Sequence, residues 1–259
     1  LAADQVRLAA EDGYRRLLAP SMENETLAAA RAKAEEKAIE IFSENLRQVL
    51  LDPPLGQKCV LAVDPGFRTG CKLAVIDSLG RLKEGHVIFP HDTEKRREEA
   101  AAKLQKICKK NGVEVIAVGS GTAGQETEAF LRNLNLNMAI VMVNESGASV
   151  YSTSDVARRE FPNEDATVRG AVSIGRRLID PLAELVKIDP KAIGVGQYQH
   201  DVDQSALRRA LDETVSSCVN LVGVDVNVAS RELLAYVSGL GPKLAEAVVN
   251  YRNDHGLFC

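Results

Sequence analysis

Lys58-Cys-Val-Leu-Ala-Val-Asp64-Pro-Gly-Phe-Arg-Thr-Gly70 runs directly into Cys71-Lys-Leu-Ala-Val-Ile-Asp77. Residues 59–63 are almost wholly apolar and read as a buried strand. Asp64 stands where that strand ends. Pro65-Gly66 turns the chain, and Gly70 frees it before a second apolar run, 72–77. A third strand-like run covers about 81–89, after the turn Ser78-Leu-Gly80. Connections this short require antiparallel neighbours. Two readings of Asp64 follow. It accepts hydrogen bonds inside its own Asp-Pro-Gly turn, or it is a carboxylate at the mouth of a central strand, placed to meet a divalent cation. His86 and His91 flank the third run and receive no chemical role.

Working outward toward the C-terminus, residues 93–110 form a helix with Ala100, Leu104 and Ile107 inward and a Lys/Arg-rich face outward. Residues 113–118 are a second buried strand. It ends in Gly119-Ser-Gly-Thr-Ala-Gly124 and enters a helix. Such a glycine-rich turn either presents backbone N–H groups to an anion or serves only a tight turn and close packing. It is not a Walker A loop, because no Gly-Lys-Ser/Thr follows. Residues 138–143 are a further strand, with Asn144-Glu145 at its end, and helices follow over 152–160 and 168–186. Three antiparallel strands, then helix, strand, helix, strand and helices is the ribonuclease-H-like order, a mixed sheet flanked by helices.

The 259 residues suffice for one large domain or two to three small ones. The net charge of −4 excludes a chain coated in basic residues, so nucleic-acid contact requires a local patch. Five scattered cysteines (Cys59, Cys71, Cys108, Cys218, Cys259) with no CxxC pair support neither a zinc site nor a disulfide framework, and fit a reducing compartment. No apolar run reaches transmembrane length and no signal peptide is visible. The chain starts inside a helical pattern without Met and reads as a piece of a longer protein. Helical spacing over 1–18 is broken by Pro20, Ser21 or Asn24 would cap the next helix, and Asp52-Pro-Pro54 stops it. Residues 1–56 thus read as a helical hairpin. Residues 187–204 lack periodicity and read as a connector, followed by helical stretches at 205–210, 211–218, 229–237 and 242–252.

The last two stretches carry the second chemical feature. A helix ends at Gly239-Leu240-Gly241, and Pro242 opens the next at a permitted first-turn position. This is a helix-hairpin-helix motif. Its glycines let a phosphate approach the backbone, first-turn N–H groups point at it, and Lys243 adds charge, with Arg252 as a further candidate contact. The competing reading is an αα-hairpin with Gly-Pro turn chemistry and no ligand.

With both features in hand, the chain resembles the Tex family of transcription accessory proteins. The matching stretches are Tyr14-Arg-Arg-Leu-Leu-Ala-Pro-Ser21, Asn45-Leu-Arg-Gln-Val-Leu-Leu51, Val63-Asp-Pro-Gly-Phe-Arg-Thr-Gly-Cys-Lys72, Asn144-Glu-Ser-Gly-Ala-Ser-Val-Tyr-Ser152, Ile193-Gly-Val-Gly-Gln-Tyr-Gln-His-Asp-Val202 and Val224-Asp-Val-Asn-Val-Ala-Ser230. The resemblance implies an α/β plus all-α chain: a helical segment (1–56), a YqgF-type ribonuclease-H-like domain (57–186), a connector (187–204) and a helix-hairpin-helix module (205–259). It implies sequence-independent binding of single-stranded RNA or DNA in support of transcription, in the cytoplasm, with RNA polymerase or ribosome-associated factors as candidate partners.

The resemblance also bears on catalysis. Active relatives hold divalent metal with several carboxylates. Asp64 matches the first and Glu145 the second, and alignment puts Ser173 at the third. The expectation is therefore a non-catalytic domain with Asp64 and Glu145 vestigial and no cofactor. The alternatives are a Mg²⁺-dependent nuclease or resolvase-like enzyme using Asp64 and Glu145 with Asp155 or Asp180, and a protein-interaction scaffold docking through the N-terminal helices.

Overall fold

A computed structural model describes residues 2–258; Cys259 lies outside the described residues. Helix α1 (Ala2–Gly13), a π-helical turn (Tyr14–Leu18) and helix α2 (Ala19–Leu50) follow one another without a break. The expected helical hairpin is therefore a single rod. Pro20 lacks an N–H, and its ring would strike the carbonyl four residues earlier in a regular helix. The wider π-turn just before it absorbs that conflict, and Leu18 and Ala19 stay helical. Ser21 and Asn24 lie inside the helix and cap nothing. Helix α1 buries no residue, and the rod is buried only at Phe42, Leu46 and Leu50.

The sheet contains β1 (Val60–Asp64), β2 (Cys71–Ile76) and β3 (Leu82–Ile88), then, after α3 (Glu94–Asn111), β4 (Val115–Gly119) and, after α4 (Gly124–Asn133), β5 (Ala139–Val143). The spatial order is β3-β2-β1-β4-β5. β1, β2 and β3 pair antiparallel, while β4 lies parallel to both β1 and β5. Alternation sorts the two faces. Leu61, Val63, Leu73, Val75, Ile116 and Val118 pack with Ala100 and Leu104 of α3 and Phe130 and Leu131 of α4. Val60, Ala62, Ala74, Ile76 and Ala117 face the other way.

That second face is covered from the C-terminal side. Helices α5 (Ala148–Thr153), α6 (Asp155–Glu160) and α7 (Ala166–Ile179) follow β5, and Val168, Ala171, Val172 and Ile174 of α7 pack on the small sheet residues. The single helix expected over 168–186 is in fact two. At Asp180 the backbone leaves the helical region (φ −150°), its carboxylate accepts the Ala183 N–H at 3.0 Å, and Pro181 starts α8 (Pro181–Leu185).

Helices α9 (Pro190–Ile193), α10 (Gln204–Val222), α11 (Arg231–Ala235) and α12 (Gly241–His255) complete the chain. Residues 205–218 form one helix, α10, capped by Asp203. Its buried face, Leu207, Leu211, Val215, Cys218 and Val219, shares a core with Phe42, Leu46 and Leu50 of α2, with α8 and with α11. Each fully buried leucine contributes about 1.5–3 kcal/mol. The two ends of the chain thus build one helical layer. The connector is fastened into it: Asn45 Nδ2 donates to the Val195 carbonyl at 2.8 Å, and Gln199 is buried.

An ion cluster joins this layer to the sheet domain. Glu160 Oε2 accepts from the Tyr151 hydroxyl at 2.7 Å and from Arg176 Nη1 at 2.6 Å, and Glu160 Oε1 meets Lys187 Nζ at 2.8 Å. Lys187 also pairs with buried Glu184 at 3.0 Å. Burial raises the Glu160 carboxyl, but Lys187 and Arg176 together outweigh it and hold it at about 2. Among the described residues Cys59, Cys71, Cys108 and Cys218 are free thiols. No helix among them is long and apolar enough to cross a membrane.

Candidate functional site

Asp64 is the last residue of β1. Counting by twos from Val60 and Ala62 places its side chain on the α7 face. Lys72 lies directly opposite in the β1–β2 register and shares that face. Glu145, just past the neighbouring end of β5, reaches the same point. Asp64 and Glu145 line a cavity of about 170 Å³ with Ser149, Ser152, Thr167 and Gly170; Lys72 stays outside that lining and donates to Thr69 Oγ1. The structure therefore brings Asp64 and Glu145 together, as the sequence predicted.

Glu145 is held from two sides. Arg177 of α7 is buried, and its Nη1 donates to the Asn144 and Ser146 carbonyls at 2.8 Å each, clamping the backbone on both flanks of Glu145. The glycine-rich turn supplies room. A Cβ at Gly119 would come within 2.2 Å of Glu145 Oε2, and one at Gly121 within 1.7 Å of Oε1. The position at which the turn was read as a possible anion site is thus filled by the chain's own carboxylate. Glu145 Oε2 is buried without a hydrogen-bond partner, an under-satisfied group in a site that contains a second carboxylate. Burial raises the Asp64 carboxyl to about 6; Lys72 opposes the rise and Glu145 adds to it.

The third corner differs from expectation. The α7 face that lines the cavity carries Thr167, Gly170 and Ile174. A Cβ added at Gly170 would sit 3.5 Å from Asp64 Oδ2. Gly170, one turn before Ser173, is therefore the helix position opposite Asp64. Ser173 is fully buried and outside the cavity lining. Asp180 is spent on its helix cap. Asp155 sits on the surface, 85% exposed, beside Arg158. Neither joins the pair. Among the described residues no three His, Cys, Asp or Glu side chains gather as a metal cage. With Gly170 opposite Asp64, the cavity lining holds two carboxylates and no third.

The hairpin joins α11 to α12 within the helical layer. Gly239 (φ +86°) and Gly241 (φ +61°) both take the left-handed conformation, with open space where a side chain would project. The glycines are therefore set by backbone conformation and not by packing. Helix α12 begins without a side-chain cap, so its first-turn N–H groups are left for another acceptor. Asn220 of α10 splints the turn: its Nδ2 donates to the Tyr236 carbonyl at 3.0 Å, and its Oδ1 accepts from Ser238 N–H at 2.9 Å. Pro242 and Lys243 are exposed, and Leu240 is half-buried against the helical core. Arg252 has a different role from the one expected. It is half-buried, and its Nη1 donates to the Val226 and Ala229 carbonyls at 2.9 and 3.0 Å, tying α12 to the segment before α11. Sequence reasoning missed Lys72, Gly170, Arg177 and Asn220. Lys72 was reachable by pairing β1 with β2 across the turn, whereas the others needed tertiary contacts.

Comparison with known proteins agrees with both regions. Residues 58–179 match the family profile described as Tex protein YqgF-like domain, and residues 219–259 match a helix-hairpin-helix motif. The chain is 50% identical over 250 residues to "Protein tex" of Bordetella pertussis, which covers 95% of this chain and 32% of that protein. It is 46% identical over 260 residues to "Transcriptional accessory protein Tex" of Neisseria gonorrhoeae, covering 98% and 33%. It is 40% identical over 254 residues to "S1 RNA-binding domain-containing protein 1" of Homo sapiens, covering 95% and 25%. The chain spans about a third or less of the length of these curated relatives.

Proposed function

The chain belongs to the Tex family over the segment it spans, and from that premise we propose that it is a nucleic-acid-binding segment of a cytoplasmic transcription accessory factor. The hairpin at 239–243 contacts the phosphate backbone of single-stranded RNA or DNA without reading sequence. The YqgF-type domain acts as a scaffold that does not cleave, with Asp64 and Glu145 as remnants. The supporting observation is the hairpin itself: two left-handed glycines, exposed Gly239 and half-buried Gly241, at an uncapped helix start, splinted by Asn220, with Lys243 beside them. An uncapped first turn favours an anion, and contacts of this kind position phosphates without specifying bases. The RNA-binding name of the human relative points the same way.

The test is fluorescence anisotropy with labelled single-stranded oligonucleotides. Gly241→Asp tolerates the left-handed backbone better than most substitutions and places a negative charge where the phosphate sits. At least a tenfold weaker affinity with an unchanged circular dichroism spectrum is expected, and equal affinity overturns the reading. A second reading, docking of a protein such as RNA polymerase or a ribosome-associated factor, draws on the exposed Val6, Leu8, Leu17 and Leu18 of the N-terminal rod. Loss of a pull-down partner in Leu17→Glu/Leu18→Glu would support it.

A further inference from the structure

We propose that Phe67 is a stacking platform for a base of single-stranded nucleic acid, with the neighbouring phosphates met by Arg68 and Arg97. The proposal rests on the reading of the chain as a nucleic-acid-binding segment and adds a second contact, on the sheet domain and of a different kind. Binding of single strands without sequence preference combines positive charge along the backbone with aromatic rings for the bases, because every base has a π-face. The hairpin at 239–243 contains no aromatic ring. Of the six phenylalanines only Phe67 is exposed, at 49%. It stands on the turn between β1 and β2 and meets His91, which is bonded to α4. Asp64 points to the opposite, α7 side of the sheet, and Phe67 is no part of the carboxylate cavity.

A lone exposed apolar side chain is ordinary and implies nothing by itself. Two features set Phe67 apart. First, its turn is fixed. Gly70 (φ +74°) lies so close to the end of β3 that a Cβ there would meet the Ile88 carbonyl at 2.7 Å and the Phe89 ring at 2.8 Å. Lys72 ties the turn down by donating to Thr69 Oγ1. The Phe67 ring meets His91 edge-on, with centroids 5.5 Å apart and planes at 62°, and His91 Nε2 shares a hydrogen bond with Thr127 Oγ1 at 2.8 Å. A ring held in this way loses little freedom when a base stacks on its open face. Second, the charge around it suits a phosphate chain. Arg68 is the next residue and is exposed. Burial lowers the His91 pKa, Glu126 opposes that and Arg97 adds to it, so Arg97 acts on the ring that Phe67 touches. Arg97 is exposed beyond its contact with the Phe130 ring. Neither arginine has a carboxylate partner among the described residues, whereas Arg96 is paired with Asp92. Helix α3 carries seven Lys and Arg against three Glu, in a chain of net charge −4. This is the local basic patch that contact with nucleic acid requires.

The chain contains no tryptophan, so Phe67→Trp places a single fluorescent indole at the platform, and a base stacked on that ring quenches it. Emission of Phe67→Trp in the intact chain is expected to fall by at least half on saturation with a short oligouridylate. It should stay level with heparin, a polyanion that has no bases. The same titration in Phe67→Trp/Gly241→Asp separates the two contacts. Quenching there that needs more oligonucleotide supports both, and quenching at the same concentration counts against the hairpin while leaving the platform standing. By anisotropy, Phe67→Ala and Phe67→Leu should each bind about fivefold more weakly. Phe67→Tyr should match wild type, since leucine keeps the apolar bulk and loses the π-face whereas tyrosine keeps both. Arg68→Ala/Arg97→Ala should lower the salt slope by about one. No quenching by the oligonucleotide, equal quenching by heparin, unchanged affinity in Phe67→Ala or an unchanged salt slope in the arginine variant overturns the proposal.

Discussion

The mouth of the sheet and the hairpin are opposites in construction. The mouth is a half-buried cavity with two carboxylates and an unpartnered oxygen on Glu145. The hairpin is open, built from glycines with empty space around them, and ends in an uncapped helix start. Phosphate is repelled by the first arrangement and attracted by the second. Fold ancestry alone would have placed the chemistry at the mouth, whereas charge and exposure favour the hairpin as the proposed ligand site.

The largest expected effect concerns what holds the two regions in one body. Removing Glu160 from the Arg176–Lys187–Tyr151 cluster leaves two buried cations to share Glu184 alone. Glu160→Ala should cost about 3 kcal/mol in denaturant unfolding. The Glu160 carboxyl is held at about 2, below its ordinary value of 4.5. Its contribution is therefore present above about pH 4.5 and lost as pH falls toward 2. Wild type should lose stability faster than Glu160→Ala across that acid window, and parallel curves would remove the cluster from the account.

Next in size is the hairpin itself. The tenfold loss expected for Gly241→Asp corresponds to about 1.4 kcal/mol of binding, with only a small fall in melting temperature from the backbone strain of Asp at a left-handed position. The mouth should show the reverse pattern. The Asp64 carboxyl is raised to about 6, so the folded state favours its protonated form and loses that advantage as pH rises from about 4 through 6. Asp64→Asn should therefore melt higher than wild type at pH 8, by about 1 kcal/mol, with the difference shrinking toward pH 5, and should bind oligonucleotide within twofold of wild type. A large binding loss in Asp64→Asn would break the contrast. Smallest is Lys243→Ala, which should weaken binding about two- to threefold and reduce the salt slope by about one.

Much of this was legible in the sequence because it is local. Apolar runs fixed the strands, short connections fixed their pairing, and Gly-Leu-Gly-Pro marked the hairpin. Tertiary context decided the rest. Pro20 reads as a break until a π-turn accommodates it. Gly170 and Ser173 are one turn apart, and only the packing of α7 on the sheet shows which of them faces Asp64. Asp180 reads as helical until Pro181 takes the next first turn. The glycines at 119 and 121 read as a possible anion cradle, because nothing local shows that Glu145 already occupies the space. Arg252 read as a candidate phosphate contact because its carbonyl partners, Val226 and Ala229, come from a separate segment.

The most direct measurement is a salt titration of oligonucleotide anisotropy for wild type and Gly241→Asp in Mg²⁺, with the probe checked for length afterwards. The account predicts salt-sensitive binding by wild type, at least tenfold weaker binding by Gly241→Asp, and an intact probe in both. Equal binding by the two proteins, or a shortened probe whose cleavage disappears in Asp64→Asn, would contradict it.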